Sequence, residues 1–294
     1  MPANSANPPL PLNPVIVECP RDAMQGWGHP ISTEKKVEYL NALLRVGFDT
    51  IDFGSFVSPK LIPQMADTAE LLSALVRGPS LTRLLAIVAN IRGAETAAGY
   101  GSIDCLGYPF SVSETFQKKN THHGLTDSLN MVKELIAISK EKGKELVIYL
   151  SMGFGNPYGD PYSTDIVAEW VDRLANLGIG VISLADTVGV AVPKTIRKLF
   201  AYLIPAFPQI RFGAHFHSQP SQWLEKVQTA DLQGCRRFDT TLLGIGGCPM
   251  AGDELVGNIA TENLIQYFRD KQVNFSFDED ALREARLLAL QLFR

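Results

Sequence analysis

The 294-residue sequence predicts a parallel α/β fold, a (β/α)8 TIM barrel with additional C-terminal helices. Three observations predict it. After residue 14, short β-branched or apolar runs alternate with longer amphipathic stretches. The alternation repeats through eight units, as successive parallel strands with helical crossovers require. No Pro/Gly/Ser-rich linker divides the chain, so one domain is expected over 14–294, with residues 1–13 as a flexible arm. An open, doubly wound sheet is the alternative arrangement of the same units.

The strand candidates, in order, are Val15–Cys19, Thr50–Gly54, Leu84–Ala89, Ser102–Leu106, Glu145–Ser151, Gly180–Leu184, Arg211–Phe216 and Phe238–Leu243. Each is rich in β-branched or bulky apolar residues, which suit a pleated, buried surface. Helical stretches lie between them, among them Thr33–Val46, Thr126–Glu141, Ser163–Asn176 and Val192–Tyr202. Ser32 or Thr33, Thr126, and Ser163 or Thr164 are hydroxyl residues placed to cap the first turns. Two further helical stretches, from Thr261 and from Asp278, would complete and cap the barrel.

Hydrophobic residues make up 46% of the chain, enough for a large core, and the net charge of -4 argues against a nucleic-acid partner. Cys19, Cys105, Cys235 and Cys248 form no CxxC pair, so reduced thiols are expected rather than a zinc knuckle or a disulfide framework. There is no apolar run of about 18 residues to span a membrane. The first 14 residues have neither the charged start of a secretory signal nor the arginines of a transit peptide, which favours a cytoplasmic enzyme.

In such a barrel the chemistry sits at the carboxyl ends of the strands. His215-Phe216-His217 ends the seventh strand candidate. Residues two apart on a strand point the same way, so both imidazoles can face one metal ion. Asp22, after the first strand, is placed to join them; by itself it reads more readily as a helix cap or a loop ion pair. Asp52 and Ser55 follow the second strand and Asp186 the sixth, each alone a plausible turn residue. Gly244-Ile-Gly-Gly-Cys248-Pro-Met-Ala-Gly follows the last strand, a loop in which a thiol can approach a ligand. Arg21, Asp22, Asp52, Asp186, His215, His217 and Cys248 all fall just past strands on the same barrel face, where random placement would scatter them over both ends.

These residues carry a resemblance. Glu18-Cys-Pro-Arg21-Asp22-Ala-Met-Gln25, Ser55-Phe-Val-Ser-Pro-Lys60-Leu-Ile-Pro-Gln-Met65, Phe116-Gln-Lys-Lys119-Asn120, Ser183-Leu-Ala-Asp186-Thr-Val-Gly189, His215-Phe-His217 and Gly244-Ile-Gly-Gly-Cys248-Pro-Met-Ala251 resemble 3-hydroxy-3-methylglutaryl-CoA lyases from about Val15 to about Leu264. SFVSPK and GGCP belong to the lyase branch; RD and HxH are shared by the wider metal-dependent lyase and synthase superfamily.

The resemblance implies cleavage of 3-hydroxy-3-methylglutaryl-CoA, or a close homologue, to acetyl-CoA and acetoacetate, by a homodimer. It implies Asp22, His215, His217 and Asn258 as ligands of Mg²⁺ or Mn²⁺, a set that does not exclude Zn²⁺. Arg21 would stabilise the enolate, Asp52 and Asp186 would handle or orient protons, and His215 or Cys248 would protonate carbon. Gln25, Ser55, Lys60 and Lys119 would bind the acyl-CoA, with Lys118 a further candidate for its phosphates. The chain also departs from the family pattern. RDGLQ reads Arg21-Asp-Ala-Met-Gln25, the glutamate after strand two is Asp52, the acid after HxH is Ser218, and Trp27 enters beside the motif. A Claisen-condensing synthase or a 2-oxo-acid aldolase of the same superfamily is the second reading, and a barrel kept as a binding scaffold the third.

Overall fold

The computed structural model describes residues 13–247 and 256–294. Eight parallel strands are present: β1 (Val15–Glu18), β2 (Thr50–Ser55), β3 (Arg83–Ile87), β4 (Cys105–Ser111), β5 (Glu145–Ser151), β6 (Val181–Asp186), β7 (Arg211–Phe216) and β8 (Arg237–Thr240). Each pairs with the next and β8 pairs back to β1, Val15 against Arg237 and Glu18 against Thr240, so the sheet closes into a barrel and the open-sheet alternative is excluded.

The helices, in chain order, are α1 (Pro20–Gln25), α2 (Thr33–Val46), α3 (Thr68–Ala74), α4 (Ile91–Ala98), α5 (Glu114–Thr121), α6 (Leu125–Lys142), α7 (Thr164–Asn176), α8 (Pro193–Ala206), α9 (Trp223–Leu232), α10 (Thr261–Asp270) and α11 (Glu279–Leu292). Ser32 caps α2 by accepting from the Lys35 amide, and Ser163 caps α7 by accepting from the Ile166 amide. The cap expected at Thr126 is instead Gly124, since α6 starts one residue earlier, at Leu125. The expected arm lies, except for its last residue, outside the described residues.

Strand alternation divides the core into two layers. Leu84, Ala86, Leu106, Tyr108, Ile148, Leu150, Ile182 and Leu184 join the main cluster under the helices. Their strand neighbours Leu85, Ile87, Cys105, Val147, Tyr149 and Val181 fill the barrel interior. Gly107 belongs to this inner layer, where a Cβ would lie 2.7 Å from Ile87 Cδ1 and 3.0 Å from Tyr149. This explains a correction: β4 was expected at Ser102–Leu106 but runs Cys105–Ser111, through Gly107 and Pro109. The glycine marks a crowded barrel interior there, not a turn.

The short helix α1 was not expected. Pro20 opens it and supplies a preset φ where no amide donor is needed. Among the described residues, Cys19, Cys105 and Cys235 are buried and free. No described helix is long and apolar enough to cross a membrane.

Candidate metal and active site

The carboxyl ends of β1, β2, β7 and β8 meet at one mouth. Because α1 begins immediately after β1, Arg21 and Asp22 project from its first turn over that mouth. Asp22, His215 and His217 converge there, and one ligand atom from each lies within 4.8 Å of the others. All three are buried.

His217 Nδ1 lies 3.1 Å from the Thr187 carbonyl, an acceptor only, so Nδ1 carries the proton and Nε2 the lone pair. That Nε2 stands 4.0 Å from Asp22 Oδ2 and is buried without a hydrogen-bond partner. Asn258 reaches the site by an isolated bridge to His217. Its Nδ2 donates to Asp22 Oδ2 at 2.7 Å and to the Ile245 carbonyl at 3.2 Å, while Oδ1 is buried and unpartnered.

These orphaned atoms test whether a cation fits. A buried acceptor without a donor costs about 1–3 kcal/mol. The His217 acceptor, at ligand spacing from the Asp22 carboxylate, and the unpartnered oxygen of an amide that already touches that carboxylate are what a bound divalent cation would satisfy. The donor set of two imidazoles, a carboxylate and an amide therefore fits a metal ion.

Electrostatics agrees. Burial pushes the Asp22 carboxyl up, but Arg21, the two histidines and the Asn258 amide outweigh it and hold it down to about 2. The group is an anion at neutral pH. Burial, then the neighbouring His215, depresses His217 to about 4, so its imidazole is neutral and can ligate. Burial acts in the same direction on His215, but Asp239 outweighs it and raises the ring.

Arg21 is pinned. Nε donates to Asp52 Oδ1 and Oδ2 at 3.2 and 3.1 Å, and Nη2 to Oδ2 at 2.5 Å. Nη1 donates to Asp22 Oδ1 and to Gln25 Oε1, both at 3.1 Å. Such a two-point carboxylate grip fixes the plane of the guanidinium. Burial pushes the Asp52 carboxyl up, against the pull of Arg21.

A cavity of about 590 Å³ opens over this centre. Arg21, Asp22, Gln25, His215, His217 and Lys119 line it, with apolar walls that include Trp27 and Ile62. Lys119 Nζ sits 4.3 Å above the Tyr158 ring.

Six expected residues are not part of the cavity wall: Asp52 and Asn258 stand behind Arg21 and Asp22, exposed Lys118 pairs with Glu114 at 2.9 Å, and Asp186, Ser55 and Lys60 lie elsewhere. Asp186 is the clearest correction. It ends β6 with its side chain in the helix layer, where Lys226 Nζ donates to Oδ2 at 2.7 Å and the Ala191 amide to Oδ1 at 2.9 Å. Its neighbours Ala185 and Thr187 line the cavity instead. Ser55 is buried and its hydroxyl accepts from the Val57 amide at 3.2 Å, so it shapes the turn after β2. Lys60 is exposed and outside the lining. Cys248 lies outside the described residues.

Sequence reasoning missed Asp239, Lys226 and Thr187. Asp239 is buried on β8 beside His215. Lys226 Nζ donates to Asp186 and also to the carbonyls of His217 and Gly189, at 2.7 and 3.1 Å. The alternation Arg237-Phe-Asp239 at a strand start was a usable signal for Asp239, since it puts two charges inside the barrel. Nothing local singled out Lys226, which sits mid-helix in α9.

With this geometry in view, comparison with known proteins is specific. The HMGL-like family model matches residues 15–288. A 3-hydroxy-3-isohexenylglutaryl-CoA/hydroxy-methylglutaryl-CoA lyase of Pseudomonas aeruginosa is 32% identical over 278 residues, 94% of this chain and 91% of that protein. A hydroxymethylglutaryl-CoA lyase of Bacillus subtilis is 31% identical over 278 residues, covering 94% and 92%. Among solved structures, an HMG-CoA lyase from A. baumannii in complex with coenzyme A and 3-methylmalate superposes with a TM-score of 0.88 at 30% identity, covering 96% of this chain and 91% of that one. The B. subtilis HMG-CoA lyase structure gives 0.89 at 30% identity, covering 96% and 94%. With a family model matching residues 15–288, and Arg21, Asp22, His215 and His217 gathered at one mouth, the chain belongs to the HMGL-like family.

Proposed function

We propose that the chain is a divalent-metal-dependent carbon–carbon lyase that splits 3-hydroxy-3-methylglutaryl-CoA, or a close 3-hydroxyacyl-CoA, into acetyl-CoA and acetoacetate. The observation that carries this reading is the convergence of Asp22, His215 and His217 on one point, with a pinned Arg21 beside it, at the base of a large cavity. Relatives named for this reaction, and one solved with coenzyme A bound, support the acyl-CoA substrate.

Asp22, His215, His217 and Asn258 would hold the ion. Their oxygen and nitrogen donors suit Mg²⁺ or Mn²⁺ and do not exclude Zn²⁺. When bound, the cation acts as a Lewis acid that lowers the pKa of the substrate's tertiary hydroxyl. The chain's own groups do the rest. Arg21, held from behind by Asp52, offers its remaining Nη2 proton and its charge to the thioester oxygen, where negative charge develops as the C–C bond breaks. Asp52, outside the cavity wall, acts by fixing the Arg21 guanidinium and exchanges no proton with substrate. Gln25 fixes Arg21 Nη1, and Lys119 binds the anionic end of the acyl-CoA. A thiolate at Cys248 would take the hydroxyl proton and, as the thiol, return it to the enolate carbon, so that one proton passes from oxygen to carbon; His215, ligating through one nitrogen with the other facing Asp239, has none to give there. The apolar walls keep bulk water from competing for that carbanion. Residues 14–294 form one catalytic unit in this reading. A cytoplasmic location belongs to it too, as in the rat relative named cytoplasmic, and so does a homodimer, which sedimentation velocity tests.

The test is a cleavage assay that follows acetoacetate. Exhaustive chelation should abolish turnover, and Mg²⁺ or Mn²⁺ should restore it. Arg21→Met should lower kcat by about 10²–10³-fold with KM little changed. Turnover that survives chelation excludes the reading. Condensation of acetyl-CoA with a 2-oxo acid, without cleavage, would move the chain to the synthase branch.

A further inference from the structure

We propose that Asp239 is a positioning residue for His215, fixing the tautomer and heading of that ring from beneath the mouth. The inference rests on the metal-centre reading above and adds a residue to it. Asp239 Oδ2 stands 3.4 Å from His215 Nδ1, and that nitrogen is buried without a hydrogen-bond partner. A carboxylate can only accept. The nitrogen facing it is therefore the one that carries hydrogen, because a lone pair there would be set against the carboxylate's charge and left unpaired in a buried site. The lone pair then falls on Nε2.

The carboxylate is held so that it can impose this choice. Ser183 Oγ, from β6, donates to Asp239 Oδ2 at 2.6 Å. Arg237 Nη1, two residues back on β8 and on the same face, donates to Oδ1 at 2.7 Å. Space for this layer comes from Gly213 on β7: a Cβ there would meet Arg237 Nη1 at 2.8 Å and Ser183 Oγ at 3.0 Å. On its other side the His215 ring packs edge-on to Tyr149, centroids 5.8 Å apart. Four strands thus build a buried socket around one ring nitrogen, while Asp239 itself stays outside the cavity lining. His217 has its own orienter in the Thr187 carbonyl. The two imidazoles are held by different groups, so loss of Asp239 would free one ring only.

The experiment reads the ring directly. Long-range ¹H–¹⁵N correlation of ¹⁵N-histidine protein, free of metal, separates the tautomers of its five histidines. His215 should carry Nδ1–H in the wild type. Asp239→Asn keeps the side-chain shape but turns an amide N–H toward the ring; His215 should switch to Nε2–H, and Mn²⁺ affinity by electron paramagnetic resonance should fall about 10–100-fold. Ser183→Ala, which removes one of the bonds to Asp239 and no charge, should weaken Mn²⁺ binding in the same direction by less. In a His215→Gln background, adding Asp239→Asn should change Mn²⁺ affinity less than twofold. An unchanged tautomer in Asp239→Asn overturns the proposal, as does an equal loss of affinity in the His215→Gln background, which would mark general damage to the barrel. A wild type that binds no Mn²⁺ sinks the metal reading instead, and the tautomer result still decides the role of Asp239.

Discussion

Glu18 ends β1 fully buried, with two partners on the far side of the β8 turn. Its Oε1 accepts from the Leu242 amide at 2.8 Å and its Oε2 from Thr261 Oγ1 at 2.5 Å. Thr261 Oγ1 also lies 2.8 Å from Thr240 Oγ1 and has a single proton to give. Thr240 Oγ1 carries a proton of its own, so the chain closes either with Glu18 ionised and Thr240 donating to Thr261, or with Glu18 protonated and donating to Thr261. Burial above all pushes this carboxyl up, to about 8 from 4.5, against the pull of its two hydrogen-bond donors. Raised in the folded state, the group binds its proton more tightly there than when unfolded. Its contribution is fully present below about pH 4.5 and is lost as pH rises toward 8. Glu18→Gln should therefore flatten the decline in stability between pH 5 and pH 8.5. It should gain up to about 5 kcal/mol at the alkaline end, read by urea unfolding at both pH values. A variant that is less stable than wild type at pH 8.5 refutes this account. Lys226 is the opposite case, a buried cation holding Asp186 and two carbonyls. Lys226→Met leaves Asp186 buried and uncompensated and should cost about 3–5 kcal/mol by chemical unfolding. A loss under 1 kcal/mol would mean water reaches Asp186 freely.

At the scale of elements, the segment after β8 decides whether Asn258 reaches the metal ligands. The Thr241 amide donates to Ile259 O at 3.1 Å, and the Asn258 amide to Gly244 O at 2.9 Å, folding the segment back on itself. Gly246 takes φ +117, a region open to glycine. A Cβ there would lie 2.5 Å from Asn258 Nδ2 and 3.1 Å from Asp22 O. Gly246→Ala should therefore push Asn258 off the site and lower Mn²⁺ affinity about tenfold or more, with the strand core intact by circular dichroism. Unchanged Mn²⁺ affinity would remove Asn258 from the ligand set. The same scale shows what the sequence made legible. The eight units, the HxH pair and the Arg21-Asp22 step were readable because strand parity and the barrel rule apply locally. Asp186 was misplaced because position after a strand was weighed without parity. Ser183 and Ala185 point inward, so Asp186 must point out, and it does. Parity could have put Asp239 inside the barrel, but not beside His215, and nothing local marked Lys226, because their roles lie in partners 24 and 40 residues before, brought near only by closure.

For the molecule as a whole, closure also brings the last helix to the mouth. In α11 the buried Ala281, Ala285 and Ala289 recur every four residues, a small-residue face that lets the helix seat closely against α2. That seat carries Phe293 to the rim, where its ring meets Trp27 edge-on at 5.3 Å and Tyr39 of α2 at 6.3 Å. Trp27 in turn walls the cavity. The route from the chain's last residues to the substrate is thus Phe293, then Trp27, then the cavity, with no charged group on the way. Removing a buried phenyl ring costs about 3–5 kcal/mol in a closed core, and toward the low end at a helix terminus able to relax. Phe293→Ala should accordingly lose about 3 kcal/mol of stability and let the Trp27 ring swing. Because Trp27 touches neither Arg21 nor the metal ligands through any hydrogen bond, the loosened wall should act on binding alone. KM for the acyl-CoA should rise several-fold while kcat holds, measured beside the change in tryptophan emission. A fall in kcat with constant KM would place the C-terminal helix in the chemistry itself, and an unchanged KM would mean the wall stands without it.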